Sequence, residues 1–128
     1  MNYIGKTYTL VPSKSGDFEG VKAICESKGL SVYEPRDNVT YYTVFEATQK
    51  AGMKIIYLNM QRKWLENEEK WEPFRYVSDN TELIWNHGWH SWHYADDEAC
   101  LTTYFSLGGG DDWISLRCNG NGQIVCQN

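Results

Sequence analysis

Hydrophobic and polar positions change period several times along the chain, and those changes predict its elements. Tyr3 to Val11 has the β-branched and aromatic content of a strand, closed by Pro12 and the turn from Ser13 to Gly16. Asp17 then suits a helix N-cap. Phe18, Val21, Ile24 and Cys25 recur at helical spacing, and Gly29 stops that run. After a short extended piece from Leu30 to Tyr33, Arg36-Asp37-Asn38 opens a second predicted helix. Its buried side is assigned to Val39, Tyr42, Val44, Phe45 and Thr48, and its end to Gly52. Lys54 to Met60 reads as a central strand, and Gln61 to Lys70 as an exposed acidic loop. Arg75 to Val77 and Leu83 to Trp85 are short strand candidates around the turn at Ser78-Asp79-Asn80. From Trp85 to Cys100 no period is evident, which predicts a long irregular loop. Cys100 to Phe105 alternates as a strand does, a turn spans Gly108 to Asp112, and a strand resumes from Trp113 to Cys118. Asn119-Gly120-Asn121-Gly122 signals a hairpin into a last strand, Gln123 to Cys126. Two early helices followed by many short strands make an α+β domain over residues 1–128, with no repeat or linker dividing it.

Composition narrows the partners. The net charge of -5 disfavours nucleic acid, which attracts clustered Lys and Arg, and is compatible with cations. The longest apolar run, Ile55-Ile56-Tyr57-Leu58, is strand-sized, so membrane insertion is not expected. Four cysteines, at 25, 100, 118 and 126, allow three pairings, and an even count in a loop-rich chain of this size suits an oxidising compartment. No Cys-x-x-Cys pair marks a zinc knuckle. Asn38-Val39-Thr40 is a glycosylation sequon, in keeping with a secreted or extracellular location. Met1-Asn2-Tyr3 carries no signal-peptide pattern, which implies a removed leader or a different route.

The chemistry is concentrated between Trp85 and Cys100. This stretch holds Trp85, Trp89 and Trp92, all three histidines (His87, His90, His93) and the acids Asp96, Asp97 and Glu98. A second acidic and aromatic knot follows at Asp111-Asp112-Trp113. Aromatic faces beside carboxylates suit a polar, ring-shaped ligand. Trp85 and Trp89 read as core beneath the loop, Trp92 and Tyr94 as candidates for exposed stacking. His87, His90 and His93 invite a zinc reading, but in an irregular loop the spacing does not make three imidazoles converge. Three histidines beside a ligand predict binding that fades below about pH 6. No nucleophile is paired with a base by any motif, so no enzyme is expected.

The ordered set of features resembles a C-type lectin-like domain. Cys25 ends a helix and leads into Lys28-Gly29-Leu30; Ile56-Tyr57-Leu58 stands where that family has a Trp-Ile-Gly-Leu strand; Glu98-Ala99-Cys100 matches its Glu-x-Cys; Trp113 precedes Cys118; and Ile124-Val125-Cys126 matches its closing strand. The resemblance runs from about Tyr8 to Cys126. It implies two helices, short antiparallel sheets, a long loop region and the disulfides Cys25–Cys126 and Cys100–Cys118. The absence of a cysteine pair before Cys25 matches the short form. The resemblance also implies a binding module for carbohydrate or glycoconjugate, in many members through calcium held by loop carboxylates and amides. Lectins gain avidity from several sites, which makes a homodimer one expectation.

Departures from the pattern bear on the site. The family's Glu-Pro-Asn or Gln-Pro-Asp triplet is missing, and Glu34-Pro35-Arg36 and Glu72-Pro73-Phe74 come too early in the chain to replace it. Glu98 is kept. Two registers are open for the Trp-Asn-Asp triplet. With Trp113 as its tryptophan, Ile114 and Ser115 replace the ligands. With two residues inserted before Cys118, Asp111 and Asp112 take the ligand places and Trp113 packs inward. The expected ligand-binding set is His90, Trp92, His93, Tyr94, Asp96, Glu98, Asp111 and Asp112, with Asp96, Glu98, Asp111 and Asp112 as the calcium set. The leading expectation is a lectin for galactose-type ligands assisted by a variant calcium site. The rival is a calcium-independent module for a protein partner or other non-sugar ligand.

Overall fold

The computed structural model describes residues 2–3, 5–83, 89–94, 98–105 and 111–128, and does not describe the side chains of 89–94, 104–105 and 111–112. In chain order the elements are β1 (Asn2–Tyr3), β2 (Lys6–Gly16), α1 (Phe18–Ser27), β3 (Ser31–Val32), α2 (Asn38–Lys50), β4 (Ile55–Leu65), β5 (Lys70–Trp71), β6 (Arg75–Tyr76), β7 (Trp89–Tyr94), β8 (Glu98–Phe105), β9 (Asp111–Arg117) and β10 (Gly122–Gln127). The strands follow the order β1-β2-β10-β4-β8-β9-β7, with β3 on β10 and β5 and β6 on β4. Pairing is antiparallel except for β10 with β4 and β7 with β9.

Both helices begin and end for reasons visible in their residues. The Asp17 carboxylate accepts from the Gly20 N–H at 2.7 Å, and the Asp37 carboxylate accepts from the Thr40 N–H at 2.8 Å. Each C-terminus closes with a left-handed glycine. Gly29 (φ 71°) donates to Glu26 O while Leu30 donates to Cys25 O; Gly52 (φ 75°) donates to Gln49 O while Met53 donates to Thr48 O. Along α1, Phe18, Val21 and Cys25 are buried as expected. Along α2 the buried face is Tyr41, Val44 and Thr48, with Phe45 packed against the core. Val39 and Tyr42, assigned to that face from the sequence, are 64% and 50% exposed. The Tyr41 hydroxyl has a buried partner in Thr103 at 3.1 Å, and its ring meets Trp113 edge-on at 5.6 Å, which turns the helix so that Tyr41 points inward.

Both disulfides form as the resemblance implies. Cys25–Cys126 staples α1 to β10 across a sequence separation of 101, and Cys100–Cys118 ties β8 to the end of β9. In the chain-entropy picture a closed loop of that length stabilises by roughly 4 to 5 kcal/mol.

Several boundaries move. β2 continues through Pro12 to Gly16, and β4 continues to Leu65, past the expected loop start. The turn at 66–69 then folds β5 back so that Trp64 opposes Trp71, ring centroids 5.6 Å apart. The glycine-rich turn after Cys118 does not make a hairpin: β9 pairs with β8 and β7, and β10 with β2, β3 and β4. The Tyr57 ring keeps the two strands apart. Its hydroxyl donates to the Arg117 carbonyl at 2.7 Å, and its ring packs on Gly122, where an added Cβ would lie 2.7 Å from it.

Candidate functional site

A continuous ladder supports the site. β8 and β9 pair without a shift from Ala99↔Arg117 through Thr103↔Trp113 to Phe105↔Asp111. Behind this ladder Trp113 is 1% exposed and rests against Tyr41 of α2, while the Thr102 hydroxyl donates to the Ile114 carbonyl at 3.0 Å. Such a backing fixes β9 as a rigid support. On its other edge β9 carries β7, and here the register breaks. Trp89 opposes Trp113, yet His93 opposes Ser115, so β7 holds two more residues than β9 over the same span. The extra residues fall within His90-Ser91-Trp92, a bulge in a strand that lies at the edge of the sheet among the described residues. The stretch expected to be irregular therefore contains a strand, parallel to β9 and last in the sheet order.

The structure sorts the expected site residues by position. His90, Trp92, His93 and Tyr94 lie on β7; their backbone is described and their side chains are not. Asp96 lies outside the described residues, as do Asp97, His87 and Trp85. Asp111 and Asp112 are the first two residues of β9 rather than part of the expected turn, and they stand opposite Phe105 and Tyr104. Glu98 begins β8, exposed, at the far end of the same ladder. From Glu98 to Tyr104, the partner of Asp112, the strand rises roughly 20 Å. One calcium, with ligands at about 2.3 to 2.6 Å, cannot take oxygens from Glu98 and from Asp112.

The surroundings of Glu98 are also unlike a calcium cage. Lys63 is its cross-strand partner, and the next residue, Ala99, is flanked by Arg62 on β4 and Arg117 on β9. Of these residues only Lys63 shares the face of Glu98, because Ala99, Arg62 and Arg117 point to the other side of the sheet. In the register without an insertion before Cys118 the places of the family's Asn and Asp fall to Ile114 and Ser115, whereas the inward packing of Trp113 also suits the register in which Asp111 and Asp112 take them. Ile114 has no side-chain oxygen, and Ser115 is 1% exposed. Ile114 and Ser115 are not calcium ligands of the kind the family uses. Among the described residues no group of three or more His, Cys, Asp or Glu could hold a metal ion.

Two polar centres escaped the sequence reading. Glu34, 7% exposed, accepts from Asn59 Nδ2 at 2.8 Å, Arg36 at 3.0 Å, Ser78 Oγ at 2.8 Å and the Ser78 N–H at 3.2 Å. The carboxylate of this early Glu-Pro pair thus joins β4 to the turn after β6. Arg36 also bonds Asp79 at 3.1 Å and lies 3.6 Å from the Tyr76 ring centroid. Its guanidinium and the hydrogen bonds from Thr81 hold the Asp79 carboxyl below the usual range, the Thr81 bonds contributing most. The second centre is Arg62, stacked between Trp71 (4.8 Å) and Phe74 (4.6 Å), where burial lowers its pKa. The Glu-Pro string and the Arg62–Trp71 spacing were visible in the sequence, but nothing local showed that they would meet distant partners.

Solved structures match this architecture over nearly the whole chain. The SPL-1–GlcNAc complex superposes with a TM-score of 0.74 at 16% identity, covering 98% of this chain and 89% of that one. The fold is that of a C-type lectin-like domain. A Ca2+-dependent type II antifreeze protein in its Ca2+-free form gives a TM-score of 0.73 at 16% identity, over 100% and 95% of the two chains. The Ca2+-independent C-type lectin SPL-2 from Saxidomus purpuratus gives 0.66 at 21% identity, over 99% and 88%. No family model matches the sequence, and no curated protein does. The fold is therefore shared with a protein solved in complex with GlcNAc and with an antifreeze protein, and the neighbours include both a Ca2+-dependent and a Ca2+-independent protein.

Proposed function

We propose that residues 1–128 form one secreted carbohydrate-binding domain that holds its ligand along the bulged edge strand β7 without calcium. The observation that carries this reading is the β7–β9 register, which sets two tryptophans, two histidines and a tyrosine on a six-residue edge strand backed by a rigid ladder. Indole and phenol faces stack on the apolar face of a sugar ring, and imidazoles can donate to or accept from its hydroxyls. Trp92, His93 and Tyr94 form the centre of the site, with His90 beside them. Asp111 and Asp112 at one end of the ladder and Glu98 at the other, together with Asp96, are acceptors for a ligand longer than one ring. The domain is a binding module rather than an enzyme. Its likeness to SPL-1, solved with GlcNAc, and to the Ca2+-independent lectin SPL-2 supports both halves of the proposal. Galactose remains the first ligand to test beside GlcNAc, because its apolar face stacks well on an indole.

The test is retention on immobilised galactose and GlcNAc by wild type, Trp92→Ala and Trp64→Ala. Truncating a central aromatic contact removes about 2 kcal/mol or more, a loss of roughly 30-fold in affinity. Retention of the wild type and of Trp64→Ala, with early elution of Trp92→Ala, is expected. Equal retention of all three proteins contradicts the assignment of β7.

A further inference from the structure

A cleft of about 380 Å³ opens where β2, the start of β4 and the entry to β10 meet, and none of its lining residues belongs to β7, β8 or β9. One wall is a bulge in β2. Pairing with β10 jumps from Ser15↔Gln123 to Val11↔Ile124, which leaves Pro12, Ser13 and Lys14 without partners in that ladder. The other wall is the chain from Gly52 to Ile55, between α2 and β4. Gln123 ties the two walls together: its side-chain oxygen accepts from the Lys54 N–H at 2.6 Å, and its amide donates to the Pro12 carbonyl at 3.0 Å. The cleft is thus built before any ligand arrives.

Its charge is opposite to that of the chain. Lys14 and Lys54 both line it, both are exposed, and neither ammonium is ion-paired with a described residue. No lining residue is acidic, although the chain as a whole carries -5. The hydroxyl-bearing residues Ser13 and Ser15 add donors of the kind an oxyanion needs. A concave site with two ammonium groups concentrates negative ligands, and the volume falls in the range of small-molecule pockets. The geometry points to a second site, for a sulfate or phosphate group, carried on a molecule no larger than a sugar phosphate or sulfate.

Amide NMR of the labelled protein tests this with inorganic sulfate, inorganic phosphate, galactose and galactose 6-sulfate, ionic strength being held with chloride. Saturable shifts confined to residues 13–15, 52–55 and 121–123 are expected with the three anions and not with galactose. The Lys14→Gln/Lys54→Gln double variant is expected to lose them while the rest of its spectrum stays that of the folded protein. Tighter binding of galactose 6-sulfate than of inorganic sulfate identifies the source as a sugar ester, and equal binding identifies the free oxyanion. No saturable shift with any of the anions, or shifts that survive in the double variant, overturns the proposal.

Discussion

The Tyr57 ring occupies the space where a side chain on Gly122 would begin, and its hydroxyl holds the Arg117 carbonyl. Because the ring is fully buried, it has nowhere to retreat. Gly122→Ala is therefore expected to destabilise the domain by about 1 to 3 kcal/mol, the usual cost of overpacking, read as a lower midpoint in urea. An unchanged midpoint would contradict the role given to Tyr57. The same burial pushes the Tyr57 phenol up to about 12 from 10.0. A group whose folded pKa is raised contributes stability that is complete below its unfolded value and is lost as pH climbs through the folded one. Unfolding free energy should fall between about pH 10 and about 12. Tyr33, whose phenol burial also raises, adds to that slope. Tyr57→Phe should flatten part of it; a variant with the wild-type slope over this window would exclude Tyr57 as a contributor.

Elements with local rules were legible in the sequence. Asp17 and Asp37 cap the helices, Gly29 and Gly52 end them, and the Cys100–Phe105 and Trp113–Cys118 stretches became adjacent strands with little change. What escaped was set by partners far along the chain. Val39 and Tyr42 fit a helical face by spacing, but Thr103 and Trp113 choose Tyr41 instead. Asn119 to Gly122 has hairpin chemistry, but the Tyr57 ring stands between the strands it joins. β7 looked irregular because a two-residue bulge breaks its alternation and its partner β9 runs parallel to it. The sequence marks the candidate site as a region, by its rings, imidazoles and acids. It does not mark the geometry, because the distance between Glu98 and Asp112 depends on the β8–β9 register rather than on sequence spacing.

At the scale of the molecule, the disulfides, the β8–β9 ladder and the helix behind it form a lectin-like frame that presents β7 at its edge. Lys63 opposite Glu98, and the roughly 20 Å of strand between Glu98 and the partner of Asp112, are the observations behind the proposal of calcium-independent binding. On the proposed reading, binding rests on ring stacking and hydrogen bonds. The most direct test compares retention on galactose and GlcNAc columns in calcium with retention in excess EDTA, alongside the thermal midpoint in each buffer. Equal retention and equal midpoints are predicted, since a ligand that binds only the folded state would raise the midpoint. Elution by EDTA, or a midpoint that rises with calcium, would contradict calcium-independent binding by β7.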